Sequence, residues 1–106
     1  VIIYPFSSIS SDTSVGSFTI VNLGAVIGHD VTVGEYSFIG TNAVLGGWSA
    51  IGNECYIGSG SFISQRSIVE NKSKVSSNVS VFGKIKRGEI VLPIRIQKVK
   101  GGILTD

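Results

Sequence analysis

From Ile3 to Val81 every sixth residue is a branched aliphatic: Ile3, Ile9, Val15, Val21 and so on, through thirteen steps without a miss. The residue after it is Gly at positions 16, 28, 34, 40, 46, 52 and 58. The residue four after it is small or β-branched almost throughout, as at Thr19, Ala25, Ser37, Ala43, Ser49, Cys55 and Ser61. A beat held this long is the signature of a solenoid, in which a residue's place in the repeat decides whether it faces the core. Strand side chains alternate, so the small residue, its outward neighbour and the next aliphatic form one short strand with both ends facing in. The other three residues must turn, and glycine, lacking a Cβ, suits a sharp bend there. Helical spacing near 3.6 fits a strict six badly, so no helix is expected before residue 82.

Composition sets bounds around that reading. The chain has 106 residues, 42% hydrophobic and only 15% charged, with a formal charge of +2. That is thin for a conventional globular core, but it suits a ladder of aliphatics buried coil upon coil. The single cysteine, Cys55, rules out an internal disulfide framework, and its register points inward, where it reads as a small buried hydrophobe. No apolar run approaches a membrane span and the N-terminus lacks a signal-peptide pattern, so no membrane span and a cytoplasmic protein are the default expectations.

The hexad array resembles the hexapeptide-repeat acyltransferase family, over roughly residues 3 to 81. The resemblance implies an all-β fold, a left-handed parallel β-helix with three hexads per triangular coil. Residues 18 apart then stack at about 4.8 Å, and residues 3 to 81 make a little over four coils. Residues 1–82 are expected to form the β-helix domain. Residues 83–106 are expected to form a basic C-terminal extension, irregular or strand-like, packing on the helix or on a neighbouring subunit.

The only histidine stands two residues past Ile27 and its aspartate three past, which places His29 and Asp30 on a bend, not at an inward position. In steps of 18 the same corner carries Ser11 and Asp12, His29 and Asp30, Gly47 and Trp48, then Gln65 and Arg66. A solvated turn histidine is the plain reading. The stretch "NLGAVIGHDVTVGEYSFIG" resembles a narrower branch: acetyltransferases of nucleotide-linked amino sugars, together with sialic acid O-acetyltransferases. That resemblance implies that His29 is the general base for an amine or hydroxyl attacking a thioester. Asp30 then orients the imidazole, and the Gly47 amide receives the oxyanion. Gly46 and Gly47 would equally serve as a permissive turn.

The resemblance further implies acetyl-coenzyme A as co-substrate, lying in a groove between two prisms of a homotrimer. Its contacts match Phe38, Ser59 and Ser77. Relatives often carry a second histidine where Phe38 stands, so either this phenylalanine packs against the pantetheine arm or the activity is altered; it would equally serve as a plain trimer contact. Asn22 matches an acceptor-side asparagine, and Trp48 lines the acceptor site or packs at its rim; each has a structural alternative as a turn or interface residue. The segment "KIKRGEIVLPIRIQKVK" holds six of the nine Lys and Arg residues. Its "VLPIR" resembles the family's closing element, which implies that Arg95 meets the phosphates of coenzyme A. A solvated arm or a strand pairing with a partner chain is the other reading.

Rival functions can be weighed on composition. A γ-type carbonic anhydrase needs three histidines around zinc, and one per chain does not supply them; no metal site is expected. An ice-binding solenoid would show ranks of outward Thr, whereas the outward positions run Ile20, Val26, Thr32, Phe38, Val44, Ala50, Tyr56, Phe62 and Ile68. The low net charge, and the lack of aromatics after residue 82, argue against nucleic acid. The expected function is direct acetyl transfer from acetyl-coenzyme A to an amino or hydroxyl group of a sugar or nucleotide sugar. A non-catalytic trimerising module is the alternative. Relatives in the branch usually carry a nucleotide-grasping domain ahead of the β-helix, while this chain opens directly into the repeat.

Overall fold

Each hexad contributes a two-residue strand, and the strands collect into three parallel sheets that wrap an all-β solenoid of about five turns with no helix among the described residues. The computed structural model describes residues 1–94 and the backbone of Lys98–Val99 and Gly102–Ile103. The first sheet stacks Ile2–Ile3, Ile20–Val21, Phe38–Ile39, Tyr56–Ile57, Lys74–Val75 and Ile90–Val91. The second stacks Ser8–Ile9, Val26–Ile27, Val44–Leu45, Phe62–Ile63 and Ser80–Val81. The third stacks Ser14–Val15, Thr32–Val33, Ala50–Ile51, Ile68–Val69 and Lys84–Ile85. Registers such as Val26↔Val44 and Tyr56↔Lys74 are offset by one full coil. Every strand residue therefore sits on its counterpart, and amides such as Val26 N–H donate to the coil below, here to Ala43 O at 2.8 Å.

The inward ladder is the core. Val21, Ile27, Ile39, Leu45, Ile57, Ile63 and Val75 are fully buried, while outward neighbours such as Val26, Tyr56, Phe62 and Ile68 stay exposed. The small inward residues have their own task. Thr19, Ser37 and Ser61 hydroxyls donate to carbonyls of the next coil, Gly34, Gly52 and Ser76, at 2.6 to 2.8 Å. Ser37 and Ser61 also accept the amides of Cys55 and Val79. Ser49 alone among them is buried with no hydrogen-bond partner for its Oγ. Removing a bridging hydroxyl strands two buried groups, whereas removing an unpaired one relieves its desolvation. Ser61→Ala should therefore cost about 1–3 kcal/mol in chemical denaturation. Ser49→Ala should be neutral or stabilising in the same assay.

The glycines after each inward aliphatic serve a purpose other than the sharp bend expected from sequence. At Gly40 and Gly58 φ is not in the left-handed region, but a Cβ would meet the next coil's backbone at 2.7 Å (Ile57 O) and 2.5 Å (Ser77 N) respectively. Close coil stacking requires them. The left-handed residue comes two positions later and is usually not glycine, as at Asp30 (φ 57°), Tyr36 (φ 55°) and Trp48 (φ 64°).

The solenoid also runs past Val81, where the spacing by six ends. Lys84–Ile85 pairs with Ile68–Val69 and Ile90–Val91 with Lys74–Val75, in a coil two residues shorter than the others. The contraction falls at Phe82 and Gly83, with Gly83 at φ 103°, a value that favours glycine. This last coil is fastened by Glu70, whose carboxylate accepts the Arg87 N–H at 3.1 Å and pairs with Lys84 Nζ at 3.3 Å. Those two contacts, the amide first, hold the Glu70 carboxyl below its usual range. Beyond it, Lys98–Val99 and Gly102–Ile103 form an antiparallel pair.

Candidate active site

The candidate residues His29 and Asp30 stand on the corner between the second and third sheets. Its backbone is fixed coil to coil by Asp30 N–H to Ser11 O, Trp48 N–H to His29 O and Arg66 N–H to Gly47 O, each at 3.0 Å. His29 projects from it with its side chain 58% exposed, and its Nδ1 lies 3.0 Å from Asp30 Oδ2. The carboxylate thus engages one ring nitrogen and leaves Nε2 as the free pole. That pole sits above Gly47: a Cβ there would lie 2.7 Å from Nε2 and 2.9 Å from Cε1. Any residue but glycine would push the imidazole from its seat.

Gly47 N–H makes no hydrogen bond among the described residues. The amides of His29 and Gln65, one coil above and below, are likewise free, so the open N–H is a property of this turn. Gly47 is singled out by the imidazole over it. Trp48 flanks the pair, its ring edge-on to His29 with centroids 6.4 Å apart, and Arg66 Cζ lies 5.6 Å from the Trp48 ring centroid. Ring nitrogen, carboxylate, free amide and aromatic wall therefore meet within two coils, an arrangement able to take a proton from a nucleophile and stabilise a nearby oxyanion.

The remaining expected residues lie elsewhere on the chain. Phe38 is outward on the first sheet, stacked on Tyr56 with centroids 5.2 Å apart and planes at 5°. Asn22, Ser59 and Ser77 lie on the corner between the first and second sheets; Ser59 and Ser77 are exposed. Asn22 turns inward on its own loop, its Oδ1 accepting Leu23 N–H at 2.7 Å and its carbonyl accepting Ser7 Oγ–H. One chain therefore does not bring Asn22, Phe38, Ser59 or Ser77 to His29, because the second sheet lies between the two corners. Arg95 lies outside the described residues.

Cys55 is buried, its Sγ donating to Glu70 O at 3.1 Å, and burial pushes its thiol pKa up. It is core, as its register implies. A shallow recess of about 520 Å³ opens on the third sheet among Thr32, Ala50, Ile68, Glu70, Asn71 and Arg87, at the sheet edge opposite His29. This recess holds no ring nitrogen, and its carboxylate is committed to the Arg87 amide and Lys84. The contribution of Arg66 was not foreseen from sequence, although the step of 18 places it under Trp48.

Fold and corner together define a hexapeptide-repeat β-solenoid. Residues 30–65 match the family described as bacterial transferase hexapeptide (six repeats), a segment that takes in Asp30, Gly47 and Trp48 and begins one residue after His29. Among solved structures, the acetyltransferase domain of PglB from Neisseria gonorrhoeae is similar at 24% identity and TM-score 0.67, over 84% of this chain and 49% of that one. The hexapeptide-repeat acetyltransferase VCA0836 from Vibrio cholerae is similar at 17% identity and TM-score 0.78, over 84% and 63%. Serine acetyltransferase isoform 3 from Entamoeba histolytica aligns at 23% identity and TM-score 0.73, over 87% and 38%. At these identities the likeness is one of fold. The chain spans about half the length of the PglB domain and less than two thirds of the other two. No curated protein matches it.

Proposed function

We propose that the protein is an acetyl-coenzyme A-dependent acetyltransferase acting by direct transfer to an amino or hydroxyl group of a sugar or nucleotide sugar. The observation that carries this reading is the imidazole of His29, held at Nδ1 by Asp30 and presenting Nε2 over Gly47, where a Cβ would lie 2.7 Å from it. Nε2 takes the proton of the attacking amine or hydroxyl, Asp30 steadies the imidazolium that forms, and the Gly47 amide donates to the oxyanion of the tetrahedral intermediate. The proton then passes to the departing thiolate of coenzyme A.

The apolar outward positions, Val26, Tyr56, Phe62 and Ile68 among them, suit faces covered by other copies. In a homotrimer the His29 corner of one protomer would meet a neighbour's surface, and Phe38, Ser59 and Ser77 would reach the donor from there. Ser59 and Ser77, one coil apart and both exposed, fit the amide-rich pantetheine arm, with Trp48 beside the acceptor and Asn22 serving its loop. A structure of the PglB domain, a fold neighbour, has been solved with acetyl coenzyme A, which supports the choice of donor. Use of that donor implies a cytoplasmic site of action.

The same apolar faces would suit a trimerising scaffold with no activity. Thiol release from acetyl-coenzyme A, followed with a panel of amino sugars and sugar nucleotides and checked by the mass of the acetylated acceptor, separates the two. The account predicts acceptor-dependent release. Release no faster than in buffer across the panel would favour the scaffold.

A further inference from the structure

The cation on the catalytic corner is uncommitted. Arg66 lies two coils below His29, about 10 Å along the solenoid at the spacing of paired strands. It is exposed, and among the described residues no carboxylate pairs with it and no acceptor bonds its side chain. Its guanidinium is held over the Trp48 ring at 5.6 Å, within range of a cation–π contact. That contact orients the planar group without using its N–H donors, so the fork stays available for the two oxygens of a carboxylate or phosphate. The corner's nearest acid, Asp30, is occupied by His29.

We infer that Arg66, braced on Trp48, is a specificity-determining residue that binds an anionic group carried by the acceptor itself. The inference rests on the acetyltransferase reading. Imidazole and guanidinium both lie against the Trp48 ring, at 6.4 Å and 5.6 Å from its centroid, so an acceptor about the size of one sugar unit would offer its nucleophile to His29 and a phosphate or carboxylate to Arg66. Donor phosphates fit this arrangement less well, since the pantetheine arm carries them much farther from the thioester.

Trp48 is the chain's only tryptophan, so its fluorescence reports on this site whether or not acetyl transfer occurs. Glucosamine 6-phosphate should give a saturable change and inorganic phosphate a weaker one, while glucosamine at equal concentration gives none. Arg66→Gln should weaken glucosamine 6-phosphate binding about tenfold or more, as loss of a charge-assisted pair implies, and Arg66→Lys should restore part of it. Circular dichroism should show both variants folded. Equal responses to glucosamine and its 6-phosphate, or an unaltered titration in Arg66→Gln, would overturn the inference. So would a donor origin of the anion: acetyl-coenzyme A binding weakened by Arg66→Gln while acetyl-pantetheine binding is not. If the fluorescence behaves as expected but no acceptor is acetylated, the enzymatic reading fails and the anion site stands. If glucosamine and glucosamine 6-phosphate are acetylated alike by wild type and Arg66→Gln, the reverse holds.

Discussion

Acetyl transfer by the His29→Ala protein is expected to fall by roughly 10²- to 10⁴-fold, the usual worth of a positioned general base. The imidazole is more than half exposed and bonds only Asp30, so its loss should leave the coil intact. The residues stacked in register with His29, namely Ser11, Gly47 and Gln65, carry no basic side chain. Thiol release should drop in kcat with the melting temperature unchanged. A drop matched by loss of the far-ultraviolet β signal would instead assign His29 to folding.

The second large effect concerns the ladder that carries the corner. Leu45 is fully buried between Ile27 and Ile63, its register partners in the coils above and below. Neighbouring coils are held apart by backbone hydrogen bonds and cannot collapse into the gap, so Leu45→Ala should leave much of the lost volume as a cavity. The expected cost is about 2–5 kcal/mol, read from the urea midpoint. Because stability in a solenoid is largely a sum of nearest-neighbour interfaces, a break in the middle coil should also weaken cooperativity. A cost under about 1 kcal/mol would mean that the coils move together to fill the space, against the close packing expected of a core.

The inward ladder was legible because a three-residue unit with both ends facing in, joined by three turn residues, repeats every six, and the sequence holds that beat from Ile3 to Val81. The corner was legible for the same reason: with register known, His29 and Asp30 fall on a bend, and steps of 18 bring Gly47 and Trp48 beneath them. The last coil was not. Its two missing residues at Phe82 and Gly83 break the count by six while the hydrogen-bonded stacking continues through Val91. The glycine positions were visible, but their cause was not, since contact with the next coil's backbone is a property of stacking and leaves no mark in local sequence. Asn22, Phe38, Ser59 and Ser77 came from resemblance, and a single chain sets Phe38 on the first sheet and the other three on the corner between the first and second sheets. Arg66 needed side-chain geometry, because the stacking of a guanidinium on Trp48 cannot be read from spacing.

Central to the account is an imidazole seated on a glycine that leaves it room. Gly47→Ala tests this directly. The change keeps the amide, and φ at position 47 is outside the left-handed region, so the backbone tolerates alanine. The three atoms nearest the added methyl all belong to the imidazole of His29, Nε2 first at 2.7 Å. Acetyl transfer by a folded Gly47→Ala protein should fall about 10²-fold, the scale of an ångström's misplacement of a reacting group. Undiminished transfer would contradict the account.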